Sequence, residues 1–395
     1  MLGNMLNLRR FFFFYGAAPV VYNLGSIIAI FALVPRMGIT GLAWGIVFGA
    51  MLHFLIQFIP ALSLGLKIHW RFDPWHVGIR RVVKMMLPRS IHLGLLQSNL
   101  VITTLLASTL PVGSLAVFNF ANNLQSLPLG IFGASFAIVA FPTLAIYVAK
   151  KESKKFRDEF GSIMCQILFF VIPLSAILII LRAQVVRLVL GSGKFDWEDT
   201  ILTFSVLGVL AISLFAQSLN LLFVRAYFSL HDTITPLKSG FIGVIVNVLF
   251  GTAAVKYWTQ ISPFLEQDVH FLGLKSPIVG LALAYTVSQI AMFIFLLVGL
   301  QDYLKGIDIQ SIKKSLGKIA LATLIMGSST QITKWFFGMA IPLDTLPAVA
   351  GQIALSGFVG IAIYLFVCKI LKCKELLNLR NEIPNIKRFQ KNKTN

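Results

Sequence analysis

Five residues between positions 89 and 103 are spaced to share one face of a helix. They are Arg89, His92, Leu96, Asn99 and Thr103, at intervals of 3, 4, 3 and 4. Gln97, Ser98 and Thr104 flank that face. A second polar group follows in Asn119, Asn122, Asn123, Gln125 and Ser126, and it leads into Pro128 and Gly130. Together these side chains offer a guanidinium, an imidazole and a bank of amide and hydroxyl groups. They can hold a polar ligand by charge and hydrogen bonding, but no nucleophile, base and orienting partner stand among them. The chemistry expected is binding, without bond cleavage.

Other polar residues are weaker candidates. His53 and Gln57, four apart, are expected to satisfy each other. Asn247 and Thr286 are further candidates for a polar or ion site. Thr235-Pro236 reads as an N-cap followed by N1, with Asp232 just ahead and Arg225 placed to pair with it. Asp196, Glu198 and Asp199 sit in a short loop with no basic or His partner at useful spacing, which argues against a glycosyltransferase or hydrolase site. No P-loop and no GxGxxG after a strand occur, and Cys165, Cys368 and Cys373 form no CxxC. No metal, cofactor or enzymatic activity is expected.

The elements that must position these groups follow from composition. Of the 395 residues, 57% are hydrophobic and 12% charged, with a mean hydropathy of +0.83. A soluble domain carries about 25% charged residues, so a cytoplasmic enzyme and a secreted disulfide scaffold are excluded. The apolar runs are about 20 residues or longer, which excludes an alternating outer-membrane barrel. The fold class is an all-α polytopic membrane helix bundle. Ten spans are expected, at 11–34, 38–60, 83–110, 114–148, 161–182, 201–227, 236–256, 276–300, 315–338 and 346–371. Turn residues separate them, as at Pro35–Gly38, Pro111–Ser114 and Pro342–Asp344.

None of the 15 acidic residues falls within these spans. A carboxylate proton relay or cation-driven antiporter is therefore disfavoured. The polar seam lies in the third and fourth spans, where side chains need partners. Those two helices either meet or line a water-filled cavity; the plainer alternative is interhelical hydrogen bonding worth about 0.6 kcal/mol per bond.

The net charge of +19 is unevenly placed. Of the 34 Lys and Arg residues, 27 fall in one set of alternate connections and the tails, and 7 in the other. That asymmetry places both termini in the cytoplasm. The charge thus records topology rather than nucleic-acid binding, and it would also favour anionic membrane lipids, by about 1 kcal/mol per residue. Residues 62–77 carry Trp70, Phe72 and Trp75 among basic residues and read as an interfacial connector.

Several motifs resemble one family. Leu87-Pro88-Arg89 leading to Gln97-Ser98-Asn99 and Leu105-Leu106-Ala107-Ser108 is similar to the seventh helix of the MurJ/MviN lipid II flippases. The run from Phe120 to Gly133, ending in Ala140-Phe141-Pro142-Thr143-Leu144, resembles their eighth. Gly191 to Phe195 resembles the loop after the ninth, and Arg225-Ala226-Tyr227-Phe228 through Pro236 the turn before the eleventh. Pro19 to Gly25 and Gly41 to Gly45 fit the fifth and sixth. The family belongs to the multidrug/oligosaccharidyl-lipid/polysaccharide exporter superfamily and has fourteen spans: two six-helix lobes around a cationic cavity, then two helices that form a lipid-tail groove.

The resemblance implies that this chain supplies helices five to fourteen, with the first four absent. The expected organisation is 1–60 as a remnant of the first lobe, 61–82 as the connector, 83–300 as the second lobe, 301–371 as the last two helices and 372–395 as a basic cytoplasmic tail. Asn123 stands where some branches carry Arg, and Thr103 where some carry Asp, so the implied cavity is less charged than the family pattern.

The implied function is flipping of an undecaprenyl-pyrophosphate-linked peptidoglycan precursor, lipid II, across the bacterial cytoplasmic membrane. Arg89, His92, Gln97, Asn99, Thr103, Asn119, Asn122, Asn123, Gln125 and Arg225 would contact substrate, and Pro88, Pro128 and Gly130 would let helices bend. The alternatives are a flippase for another polyprenyl-linked glycan, a related exporter, or a non-transporting partner of cell-wall synthesis proteins.

Overall fold

The computed structural model describes residues 3, 6, 12–63, 77–191, 195–266, 276–300 and 309–377. They form helices: α1 (Phe12–Ala32), α2 (Ile39–Ser63), α3 (Val77–Ala107), α4 (Ser114–Ala149), α5 (Ser153–Ile180), α6 (Arg182–Leu190), α7 (Trp197–Ile212), α8 (Leu214–Ser229), α9 (Ile234–Glu266), α10 (Pro277–Leu300), α11 (Ile309–Ala340) and α12 (Leu346–Ile370). A helical turn, Val34–Met37, joins α1 to α2. No strand occurs among the described residues. Most of the connector and tail expected from the sequence, residues 64–76 and 378–395, lies outside them.

The all-α membrane bundle expected from composition is what forms. Six of the helices are long and apolar enough to cross a membrane, and α7 with α8 makes a seventh if that bent pair is one span. Helices α1, α3 and α11 occupy the other three expected spans. The apolar stretch of α1 is short, Gly16–Ala32. Helices α3 and α11 carry polar residues along their length, such as Arg89 to Asn99 and Ser328 to Thr333.

Two expected spans are irregular. Residues 201–227 are mostly apolar and read as one span, yet the helix breaks at Ser213 with a bend of 45°. The Ser213 hydroxyl bonds the Leu210 carbonyl at 2.9 Å, diverting an acceptor from the backbone ladder. In α4, residues Leu129–Ala134 form a π turn directly after Pro128, which has no N–H to give. The Ser135 hydroxyl bonds Gly130 O, five residues back, at 3.2 Å.

The chain divides into two compact units, 1–81 and 82–395. In the first, α1 and α2 pack through small residues. A Cβ on Gly25 would lie 2.8 Å from Gly49 Cα, one on Gly49 would lie 2.6 Å from Tyr22 O, and one on Gly45 would strike Ala29. Small residues at four-residue spacing let helix backbones close together in lipid, where no hydrophobic force drives them. His53 and Gln57 bond each other at 3.0 Å, the core pair expected.

The second unit is held by three apolar clusters. One joins α4, α5, α8 and α10 through Leu144, Phe160, Phe223, Tyr227 and Leu296, and Tyr227 caps it by donating its hydroxyl to Leu296 O at 2.9 Å. Another joins the first half of α4 to α7, α9 and α10 through Phe118, Ala121, Leu207, Trp258 and Leu281. A third fixes α11 and α12 on α5 through Phe169, Met326 and Tyr364, with the Tyr364 hydroxyl donating to Phe169 O at 2.7 Å.

Two helix starts are capped by acidic residues. Asp196 caps α7 in a capping box, accepting the Asp199 N–H at 2.8 Å while its own N–H reaches Asp199. The acidic loop is thus a structural cap. The start of α9 corrects the sequence reading. The helix begins at Ile234, two residues earlier than Thr235-Pro236 implied. Asp232 does the capping, accepting the N–H groups of Ile234 and Thr235 at 2.9 and 3.0 Å and the Thr235 hydroxyl at 2.7 Å.

Candidate functional site

The polar face of α3 and that of α4 each find partners on later helices. Asn99 and Thr103 are buried on α3, and Asn247, buried on α9, donates to Asn99 O and to Thr103 Oγ1, both at 2.9 Å. Thr103 donates to Asn99 O at 3.0 Å, and the Asn99 amide reaches Met292 Sδ of α10 at 3.7 Å. The side-chain oxygens of Asn99 and Asn247 are buried without hydrogen-bond partners. Thr286, grouped with Asn247 in the sequence reading, lies elsewhere and donates to Val209 O of α7 at 3.1 Å.

On α4, Gln125 is buried and donates to Asn122 Oδ1 at 3.0 Å. Its own oxygen accepts from Gln217 of α8 at 3.4 Å, and Gln217 also donates to Ser213 Oγ, at the α7–α8 break, at 2.9 Å. One turn on, Asn220 donates to the backbone and side-chain oxygens of Gln289 on α10, at 3.1 and 3.4 Å. Gln217, Asn220 and Gln289 are not among the residues expected from sequence, although Ser213, Gln217 and Asn220 follow intervals of 4 and 3, the helical-face signal that would have found two of them.

Of the other predicted residues, Asn119, Asn123 and Gln97 face outward. Asn119, Asn123 and Ser126 are exposed along one stripe of α4, at intervals of 4 and 3, and Gly130 continues it. Gln97 is exposed on α3 and Asn122 is half-buried. The stripe lies roughly 8 to 18 Å along α4 from Ser114, on a helix long and apolar enough to cross a membrane. Exposed amides within a membrane span are stable where water or a polar ligand reaches them, and costly against lipid tails. Arg225 is half-buried near the end of α8, about 12 Å beyond Gln217. Arg89 and His92 lie in helical backbone of α3, but their side chains fall outside the described residues.

Comparison with known proteins places this arrangement. The profile of the family described as lipid II flippase MurJ matches residues 1–343. The chain belongs to the lipid II flippase MurJ family. Similar proteins include a probable lipid II flippase MurJ of Borreliella burgdorferi, 29% identical over 273 residues, covering 68% of this chain and 53% of that protein. Another, from Thermotoga maritima, is 28% identical over 350 residues, covering 87% and 65%. Among solved structures, a lipid II flippase MurJ in its inward closed conformation superimposes with a TM-score of 0.70 at 22% identity, covering 93% of this chain and 69% of that one. That likeness concerns the fold. The chain spans about half the length of the relatives first matched, 53% for Borreliella and 57% for Bdellovibrio bacteriovorus.

A MurJ family member with several membrane-length apolar helices is a multi-pass bacterial membrane protein. Its polar residues serve two purposes in this structure. Asn99, Thr103, Gln125, Gln217, Asn220 and Asn247 bond helices together, whereas Asn119, Asn123, Ser126 and Gln97 keep their amide and hydroxyl groups at an open surface. The irregular backbone follows them along α4, where the π turn packs Gly133 directly on Ser218 of α8. A cavity of about 260 Å³ lies at another edge of the bundle, between α5, α11 and the segment after α12, lined by Arg157, Cys165, Ser315, Lys374 and Glu375. Glu375 there accepts the Ser315 hydroxyl at 2.7 Å and is buried. Among the described residues no cluster of three or more His, Cys, Asp or Glu could hold a metal ion.

Proposed function

We propose that this chain serves in flipping lipid II, the undecaprenyl-pyrophosphate-linked peptidoglycan precursor, across the cytoplasmic membrane by alternating access, with both termini of this chain cytoplasmic. The observation that carries the reading is the exposed polar stripe Asn119, Asn123 and Ser126 on a membrane-length helix of a MurJ family chain. Its two amides offer hydrogen bonds to sugar hydroxyls and phosphate oxygens, groups that lipid alone would not stabilise, while the Ser126 hydroxyl donates to Asn123 O at 2.7 Å. Arg89, His92 and Gln97 on α3 and Asn122 on α4 complete the proposed contact set, and Arg225 would meet the substrate at the cytoplasmic end. Asn99, Thr103 and Gln125, expected from the sequence to join them, act by holding α3 and α4 in place.

No bond is made or broken in this reading. The lipid-linked precursor is the substrate, and membrane lipids surround the bundle. The charge split of 27 to 7 supports the orientation. The π turn and the Ser213 break would absorb the helix bending that alternating access requires.

The test is lipid II flipping in proteoliposomes. Losing one hydrogen bond in Asn123→Ala should slow flipping roughly fivefold, and Arg89→Ala by more, with the protein still folded. If Arg89→Ala, Asn119→Leu and Asn123→Ala all flip at the parent rate, the contact set is wrong.

A further inference from the structure

Two half-buried cations meet where α11 and α12 pack on α5 and α6, at the end of α5 far from Lys154 and Lys155. Arg182, just past the last residue of α5, donates Nη1–H to Ile179 O at 3.1 Å. Lys334 of α11 donates Nζ–H to the next carbonyl, Ile180 O, at 2.9 Å. The two charges therefore stand side by side over one helix end. The Arg182 guanidinium also lies 5.3 Å from the ring centre of Phe204, and its Nε is buried with no hydrogen-bond partner. Gln352 of α12 holds the Lys334 backbone by donating to its carbonyl at 2.8 Å. Among the described residues no carboxylate makes a salt bridge with either cation.

Capping explains only part of this. The C-terminal end of a helix is equivalent to about half a negative charge, so two full cations leave an excess near +1.5. Each bonds a single carbonyl, although Arg has five donors and Lys three. Uncompensated charge beside hydrocarbon is costly, and an anion between the two would relieve it. The depth fits a headgroup. Lys334 lies about 9 Å before the end of α11, and the next residues, Trp335 and Phe336, are 55% and 60% exposed, as aromatic side chains are at a membrane interface.

We propose that Arg182 and Lys334 form a binding site for a phosphate group at this edge of the bundle, the phosphate oxygens accepting from the free guanidinium N–H groups and from Nζ. The site lies apart from the Asn119–Ser126 stripe, and its occupant is a lipid phosphodiester or a free phosphate.

Binding is read on the full chain, independently of flipping. In phosphatidylcholine nanodiscs doped with phosphatidylglycerol, native mass spectrometry should find a retained phosphatidylglycerol. Arg182→Gln with Lys334→Gln should weaken that retention roughly thirtyfold, while Lys256→Gln, an exposed cation, should not. Inorganic phosphate, titrated in uncharged detergent and followed by 31P line broadening, separates the sources: binding there without phosphatidylglycerol retention assigns the site to free phosphate. Photoreactive phosphatidylglycerol on the unaltered chain should label peptides of α6 and α11, which removes dependence on the variant's folding. Equal retention of both ligands by parent and folded double variant, or labelling confined to other helices, would overturn the site.

Discussion

Gln217 of α8 donates to Gln125 of α4 across 3.4 Å, joining the helix that carries the exposed amide stripe to the helix that starts at the Ser213 break. Both side chains are buried, and Gln217 grips Ser213 Oγ at the same time. A shift at the break is therefore felt on α4 one turn before its π segment.

Separate Gln125→Leu and Gln217→Leu substitutions should each cost about 0.6 kcal/mol and at most about 1.7. The double variant should cost less than their sum, because each single change leaves the other amide unsatisfied. Unfolding in mixed micelles measures the cycle; strict additivity would mean the 3.4 Å contact carries no energy.

Asn247→Asp should loosen α3 more than Asn247→Ala does. Asn247 donates both of its bonds to α3, to Asn99 O and Thr103 Oγ1, and neither Ala nor an ionised Asp can donate. The Thr103 hydroxyl already donates to Asn99 O, so Asp would add a buried carboxylate facing two acceptors. Limited proteolysis and thermal unfolding of the two variants should rank them in that order, with Ala below the parent by about 1–2 kcal/mol.

Two glycines five residues or fewer apart should respond in opposite ways. A methyl on Gly133 would sit 2.8 Å from Ser218 Oγ and 3.1 Å from its Cα, so Gly133→Ala should cost about 1–3 kcal/mol. A methyl on Gly130 meets nothing within 4 Å. Gly130→Ala should leave melting unchanged or slightly raised and slow flipping if the π turn must flex. Comparing melting temperature with flipping rate for the pair separates packing from bending.

The Asp232 cap should show in acid. Burial pushes its carboxyl up, but the Thr235 N–H and hydroxyl, the Ile234 N–H and the charge of Lys238 outweigh this and hold it below the ordinary 3.8. A depressed folded value stabilises the protein above the unfolded value, and that contribution fades as pH falls below about 4 through the folded one. Asp232→Asn should therefore be less stable than the parent at neutral pH, and the gap should close in acid. Asp232 is half-buried at a helix start near solvent, so screening keeps the effect modest. A gap that does not change with pH would place the effect outside ionisation.

Much of this architecture was legible in residue order, because long apolar runs and the turns Pro35–Gly38 and Pro111–Ser114 mark helices directly. The bend at Ser213 was not. It falls inside a stretch apolar enough to read as one span, and a serine turning its hydroxyl onto its own backbone leaves no trace in hydropathy. Helical spacing correctly grouped Asn99 with Thr103 but could not name the facing helix, since periodicity fixes a face and not its neighbour. Their partner Asn247 lies 144 residues beyond Thr103. Arg182 and Lys334 were visible only as two charges until packing set them over successive carbonyls.

The π turn of α4 sets the phase of one side of that helix. Before it, the outward line runs Asn119, Asn123, Ser126 and Gly130; after it, the line steps five residues to Ser135 and continues through Ile138, Pro142 and Ile146, all exposed. Without the extra residue, Gly133 and Ala137, both buried, would fall on that line. One continuous edge of α4 is thereby polar along its first half and largely apolar along its second, a lengthwise amphiphile written on a single helix. Removing one residue from Leu129–Ala134 would rotate Ser135–Ala149 by about 100° and part the two halves.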